Sequence, residues 1–126
     1  MSLQASLDNW IARAREPVDD TDGQLLTLFT LALSIKGKNY LELGVRHAHS
    51  THPLLWAAHL NGGHLTSVDK IEPQFTSPEE LAASWLFVRQ DTLAFLASRS
   101  ERYDLVFVDD WHAYSHVKAE LAELDR

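Results

Sequence analysis

The residues best suited to chemistry are acids placed where short apolar runs stop. Glu42 stands within Tyr40-Leu41-Glu42-Leu43-Gly44, Asp69 follows the run His64–Val68, and Asp109 follows Tyr103–Val108. Between the first two acids, Gly44 opens a loop that ends on Ser50 and Thr51. A glycine directly after a strand lets the backbone turn tightly and approach a ligand closely. Hydroxyls and free backbone N–H groups at a helix start can hold a carboxylate or phosphate. An acid beside such an anion-binding start suits a zwitterionic ligand end better than a pyrophosphate. Asp69, at the next strand end, is placed to accept hydrogen bonds from ribose hydroxyls. The plainer reading of the loop is any strand–loop–helix crossover with a capping serine.

Other candidates are less specific. Asp91 lies just before an expected helix, where N-cap duty explains an acid as well as ligand contact does. His112 follows Asp109 closely and has a pKa near neutrality, which suits proton transfer; capping or packing at a helix start is the alternative. His47, His49 and His52 have a spacing that offers two imidazoles to zinc. That cluster straddles a loop and a helix start, and no acidic partner lies nearby in sequence.

These residues need a scaffold, and the hydrophobic pattern supplies one. Leu3, Leu7, Trp10, Ile11 and Ala14 recur at helical spacing, which predicts an amphipathic helix over 3–15. A second helix over 24–35 is apolar on most sides and is expected to be well buried, with Gly37 as its stop. Thereafter strands and helices alternate. Strands are expected at 39–43, 64–68, 85–89 and 103–108, with helices from about 50 to 60, 79 to 84, 92 to 98 and 116 to 124. Such alternation implies βαβ units and a parallel sheet. Ligands of such sheets bind beyond the carboxyl ends of the strands. The three acids all fall there.

Bulk properties bound the rest. A chain of 126 residues is the size of one domain, here divided into N-terminal helices over 1–36 and an α/β core over 37–126. The balance of 11 basic and 18 acidic residues gives a net charge of −7. The basic residues are scattered, so nucleic acid is not an expected partner. No apolar run approaches the ~20 residues of a membrane span. The start lacks a basic segment followed by an apolar one, so no signal peptide is expected. With no cysteine there is no disulfide or thiolate site, which fits a cytoplasmic protein.

The loop carries a family resemblance. Glu42, Gly44 and Ser50 match the E-x-G-x-x-x-G-x-S/T first motif of class I S-adenosylmethionine-dependent methyltransferases, with Ala48 in place of the second glycine. The segment from Asp109 through His112 to Tyr114 resembles the I-D-G-x-H-x-Y signature of small bacterial sugar and macrolide O-methyltransferases. It is also similar to the corresponding strand end of catechol and caffeoyl-CoA O-methyltransferases. The resemblance implies a Rossmann-like αβα sandwich with sheet order 3-2-1-4 and S-adenosylmethionine as cofactor. Glu42, Gly44, Ser50, Asp69 and Asp91 would hold that cofactor, Asp91 near its adenine. Asp109 would ligate a divalent metal such as Mg²⁺, and His112 would act as base toward a small hydroxylated acceptor. Asp110 departs from the signature, which has glycine there.

The resemblance covers roughly 24–126, yet only the front of a seven-stranded family fold. The fifth strand and the antiparallel hairpin are missing, which leaves Tyr103–Val108 at a sheet edge. Either the chain is a fragment or a partner subunit, such as a second copy, covers that edge. A non-catalytic assembly domain that dimerises is therefore the alternative to an O-methyltransferase. A nicotinamide-binding domain ranks lowest, because G-x-G-x-x-G is absent, with Arg46 and His49 in the way.

Overall fold

The computed structural model of the chain describes residues 2–14, 22–45, 49–73, 75–108 and 114–125. Four strands make one parallel sheet: β1 (Asn39–Leu43), β2 (His64–Asp69), β3 (Trp85–Arg89) and β4 (Leu105–Val108), in the order β3-β2-β1-β4. This is the expected Rossmann-like arrangement. The helices are α1 (Leu3–Ala14), α2 (Asp22–Ser34), α3 (Thr51–Leu60), α4 (Thr92–Ser98) and α5 (Tyr114–Asp125), with a 3₁₀ turn at Glu79–Ser84.

Strand alternation sorts the side chains into two layers. Tyr40, Leu65, Trp85, Leu105 and Phe107 face the side covered by α1, α2 and α3. Leu41, Leu43, Val68, Val88, Val106 and Val108 face the other side, against α4 and the end of α5. Helix α1 joins the first layer through Trp10, whose ring lies 5.4 Å from that of Phe29 on α2. Helices thus cover both faces, as parallel strands with continuous apolar runs require.

Register places the functional rim. Leu43 pairs with Val68 and Val108, and Asp69 pairs with Arg89. The carboxyl ends of all four strands therefore meet along one edge. Gly44 leaves β1 with φ 89°, a conformation glycine adopts freely and branched residues adopt at a cost.

Three local expectations need correction. Helix α2 is not buried all round, for Leu31 is 58% exposed, while Phe29 and Ala32 are buried. A helix in an outer layer can turn only one stripe toward the core. Its stop is Lys36 in the left-handed region (φ 56°), rather than Gly37. The last strand starts at Leu105 rather than Tyr103, because Asp104 is used differently. Its carboxylate accepts from the backbone N–H groups of Lys38 (2.8 Å) and Asn39 (3.0 Å), while its own N–H donates to Asn39 O (2.8 Å).

Those two backbone donors hold the Asp104 carboxyl below the usual carboxylate range. A depressed folded pKa contributes stability that is present above the unfolded value, near 3.9, and is lost as pH falls through the folded one. Asp104→Asn keeps an acceptor and removes the titration. Its melting temperature, followed by circular dichroism, should fall less than that of the parent between about pH 5 and 2. Equal slopes in the two proteins would contradict this assignment.

Candidate functional site

The loop after β1 is fixed from two sides by acids. Glu42 lies fully buried in the α1–α3 layer, in register with Ser67 on β2. Its carboxylate accepts hydrogen bonds from the hydroxyls of Ser50, Thr51 (2.7 Å) and Ser67 (2.9 Å). A carboxylate without such donors would be very costly at this depth. Ser67 in turn accepts from the indole N–H of Trp85 on β3 at 2.9 Å. The start of α3 is thus tied to the middle of the sheet.

Asp69 works from the other side. Its carboxylate accepts from the backbone N–H of Val45 (2.9 Å) and of Ile71 (3.2 Å), and Gly44 N–H donates to Val68 O at 2.8 Å. The residue after the glycine is therefore pinned against the end of β2. Glu42 and Asp69 hold the two ends of the same loop, and Glu42, expected to border a cleft, is fully buried there.

The remaining expected residues fall as follows. Ser50 is the residue before α3 and is buried, and its hydroxyl turns inward to Glu42 instead of capping the helix. That leaves the backbone N–H groups of the first turn, which have no partner inside a helix, as the groups at this helix start suited to an anion. Pro53, in the first turn, has no N–H to leave unsatisfied. Asp91 caps α4, accepting from Ala94 N–H at 3.1 Å, and lies 3.4 Å from Lys70 Nζ. Asp109 and His112, expected to serve metal and base chemistry, lie outside the described residues, as do Arg46, His47, Ala48 and Asp110. Of the histidine cluster, His52 packs its ring on Phe75 at 4.8 Å, edge to face, and His49 is exposed. Among the described residues, no group of three or more His, Asp or Glu side chains gathers into a metal site.

Sequence reasoning missed Ser67 and Trp85. Their one signal is polarity: Ser67 sits in the same layer as Glu42, opposite it on the neighbouring strand. A concavity of about 310 Å³ on the α4 face is lined by His64, Leu86, Val88, Phe95, Arg99 and Tyr103 among others, and includes none of the loop residues. Tyr103, beside it, has its phenol pushed up by burial and by Glu101, against a smaller opposing effect of Arg99.

Residues 41–126 match the model of a family described as "Methyltransferase domain", a span that begins on β1 and runs to the last residue. The chain belongs to this family. The structure of this methyltransferase domain is similar to that of cofactor-bound Rv0187 from MTB, with 21% identity and a TM-score of 0.62 over 96% of this chain and 59% of that one. It is also similar to an O-methyltransferase from Bacillus cereus in complex with SAH, with 18% identity and a TM-score of 0.58 over 94% and 59%. A CmcI structure with Mg and SAM gives 18% identity and a TM-score of 0.60 over 84% of this chain and 48% of that one. The methyltransferase domain thus spans about half to three-fifths of the length of these structures. No curated protein matches it. No helix among the described residues is long and apolar enough to cross a membrane.

Proposed function

We propose that this methyltransferase domain binds S-adenosylmethionine along the carboxyl rim of its sheet and serves O-methyl transfer to a small hydroxylated acceptor. The observation that carries the reading is the loop held between Glu42 and Asp69, with Gly44 at φ 89°. A cradle of this kind fits the cofactor's donor set. The N–H groups at the start of α3 suit its carboxylate, and Asp69 stands at the end of β2, where an acid suits ribose hydroxyls. Asp91, tied to Lys70, borders the adenine side of the same rim in this reading.

When bound, the cofactor supplies an electrophilic methyl group on a sulfonium. The protein's own task is to align an acceptor oxygen and take its proton. Asp109 follows β4 directly in sequence, next to β1, the strand that Gly44 follows, and His112 comes three residues later. We assign Asp109 to a divalent cation such as Mg²⁺, which favours the deprotonated acceptor, and His112 to the proton. The CmcI structure with Mg and SAM is an instance of this fold holding both a divalent cation and the cofactor, and supports the cation by analogy of fold alone.

Calorimetry with S-adenosylhomocysteine tests the binding step. The parent should bind, Asp69→Ala should bind about tenfold more weakly through loss of charged hydrogen bonds, and Gly44→Val should give no measurable heat. No heat from the parent at millimolar ligand would sink the reading. A second reading is favoured by one observation: among the described residues β4 is an edge strand, with its four residues only half-buried. In it the chain is a non-catalytic domain that pairs this edge with a second copy. A dimer in light scattering, with no methyl transfer to a panel of acceptors, would support it over catalysis.

A further inference from the structure

One indole on an edge strand reaches the helix start by two separate routes. The first is a chain of hydrogen bonds: Trp85 Nε1 donates to Ser67 Oγ (2.9 Å), and Ser67 donates to Glu42 (2.9 Å). Glu42 also receives the hydroxyls of Ser50 and Thr51. The second is a run of stacked rings. Trp85 meets Phe75 edge to face at 5.1 Å, and Phe75 meets His52 at 4.8 Å. The two routes end on three consecutive residues, Ser50, Thr51 and His52.

We propose that Ser67 and Trp85 are positioning residues, which set the start of α3 for its ligand by acting through Glu42. The inference rests on the cofactor reading above and adds to it a role for two residues outside the motif. The physical case is one of lone pairs. A carboxylate has about four acceptor sites, and three hydroxyls direct where Glu42 points. Ser67 has one proton to give. Because its oxygen already accepts from Trp85, that proton is aimed at Glu42 rather than free to rotate. Ser67 is fully buried, so water does not compete for either bond. Glu42 so oriented holds the Ser50 and Thr51 side chains, and the backbone N–H groups of that turn are presented before the ligand arrives. Preorganisation of this kind improves affinity by removing an ordering cost at binding.

Ser67→Thr and Ser67→Val provide the test, because the two replacements have nearly the same shape and differ in one hydroxyl. Any crowding of the buried site is common to both. Calorimetry with S-adenosylhomocysteine should give Ser67→Thr within about threefold of the parent and Ser67→Val about tenfold weaker, a factor typical of one hydrogen bond to a charged group. Trp85→Phe keeps the ring beside Phe75 and deletes the N–H, and should also weaken binding several-fold. Trp56→Phe is the matched control. Its indole N–H is buried with no acceptor among the described residues, so its loss should leave affinity unchanged. Melting curves on each variant confirm that the folded protein is being titrated. Equal affinities for Ser67→Thr and Ser67→Val, or parental affinity in Trp85→Phe, would overturn this inference while leaving the cofactor reading intact. A parent that gives no heat overturns both.

Discussion

Glu42→Ala should yield a protein about 4 kcal/mol less stable than the parent and unable to bind S-adenosylhomocysteine. Three hydroxyls lose their shared acceptor at a fully buried position. Each unsatisfied group costs about 1–3 kcal/mol, and the deleted side chain leaves a cavity besides. These terms are not additive, since Ser50, Thr51 and Ser67 can partly turn to one another, which holds the estimate near 4. Against a total stability of about 5–15 kcal/mol the loss is severe. Glu42→Gln separates charge from shape: it keeps the volume and two polar atoms, and should cost only about 1–2 kcal/mol. Urea denaturation reads both values. If Glu42→Ala unfolds at nearly the parental midpoint, the network is not what holds this layer together.

Gly63→Ala is expected to be the second most damaging change, at about 3 kcal/mol. A Cβ at this position would lie 2.1 Å from Lys38 O and 2.4 Å from Lys38 Cα. Both atoms are backbone at the threshold of β1, and Lys38 O accepts from His64 N–H at 2.8 Å. No side chain can swing aside, so the strands themselves must separate where β1 and β2 begin to pair. Overpacking against side chains costs about 1–3 kcal/mol, and an immovable neighbour puts this site at the top of that range. The same urea series measures it, and a loss under about 1 kcal/mol would mean that the turn at Asn61-Gly62-Gly63 relaxes freely.

The sheet was legible in the sequence because strands covered on both faces read as short apolar runs broken by turn residues. Trp85–Arg89 and Thr92–Ser98 agree with expectation to the residue, and the strand order follows from the family resemblance. Failures have a common cause, which is that local pattern carries no register. Tyr103 and Asp104 extend an apolar run on paper, but Asp104 is diverted to the Lys38 and Asn39 N–H groups across the sheet. Ser50 has the type and position of a helix cap, yet a buried acid eight residues earlier claims its hydroxyl. Ser67 looks like an ordinary strand residue until pairing sets it beside Glu42. Glu42, Gly44 and Ser50 needed no register, being close in sequence, whereas the contact of Asp69 with Val45 depends on the pairing of β1 with β2.

Family membership and the loop geometry bear on different parts of the proposed chemistry. Glu42, Gly44, Ser50 and Asp69 belong to the half of the site that would hold a ligand. Asp109 and His112 belong to the half that would react with it, and their assignment stands on the motif after β4. Measurements of affinity and of turnover therefore report on separate sets of residues. A variant at His112 should abolish transfer with little change in the affinity for S-adenosylhomocysteine.

The cluster around Glu42 also constrains how such a sequence can drift. Its members come from three strands and a helix start, and exchanging any of them for an apolar residue takes a hydrogen-bond partner from another. Lineages descending from this chain should therefore keep Glu42, Ser50, Thr51, Ser67 and Trp85 as a set, or replace several together by hydrocarbon.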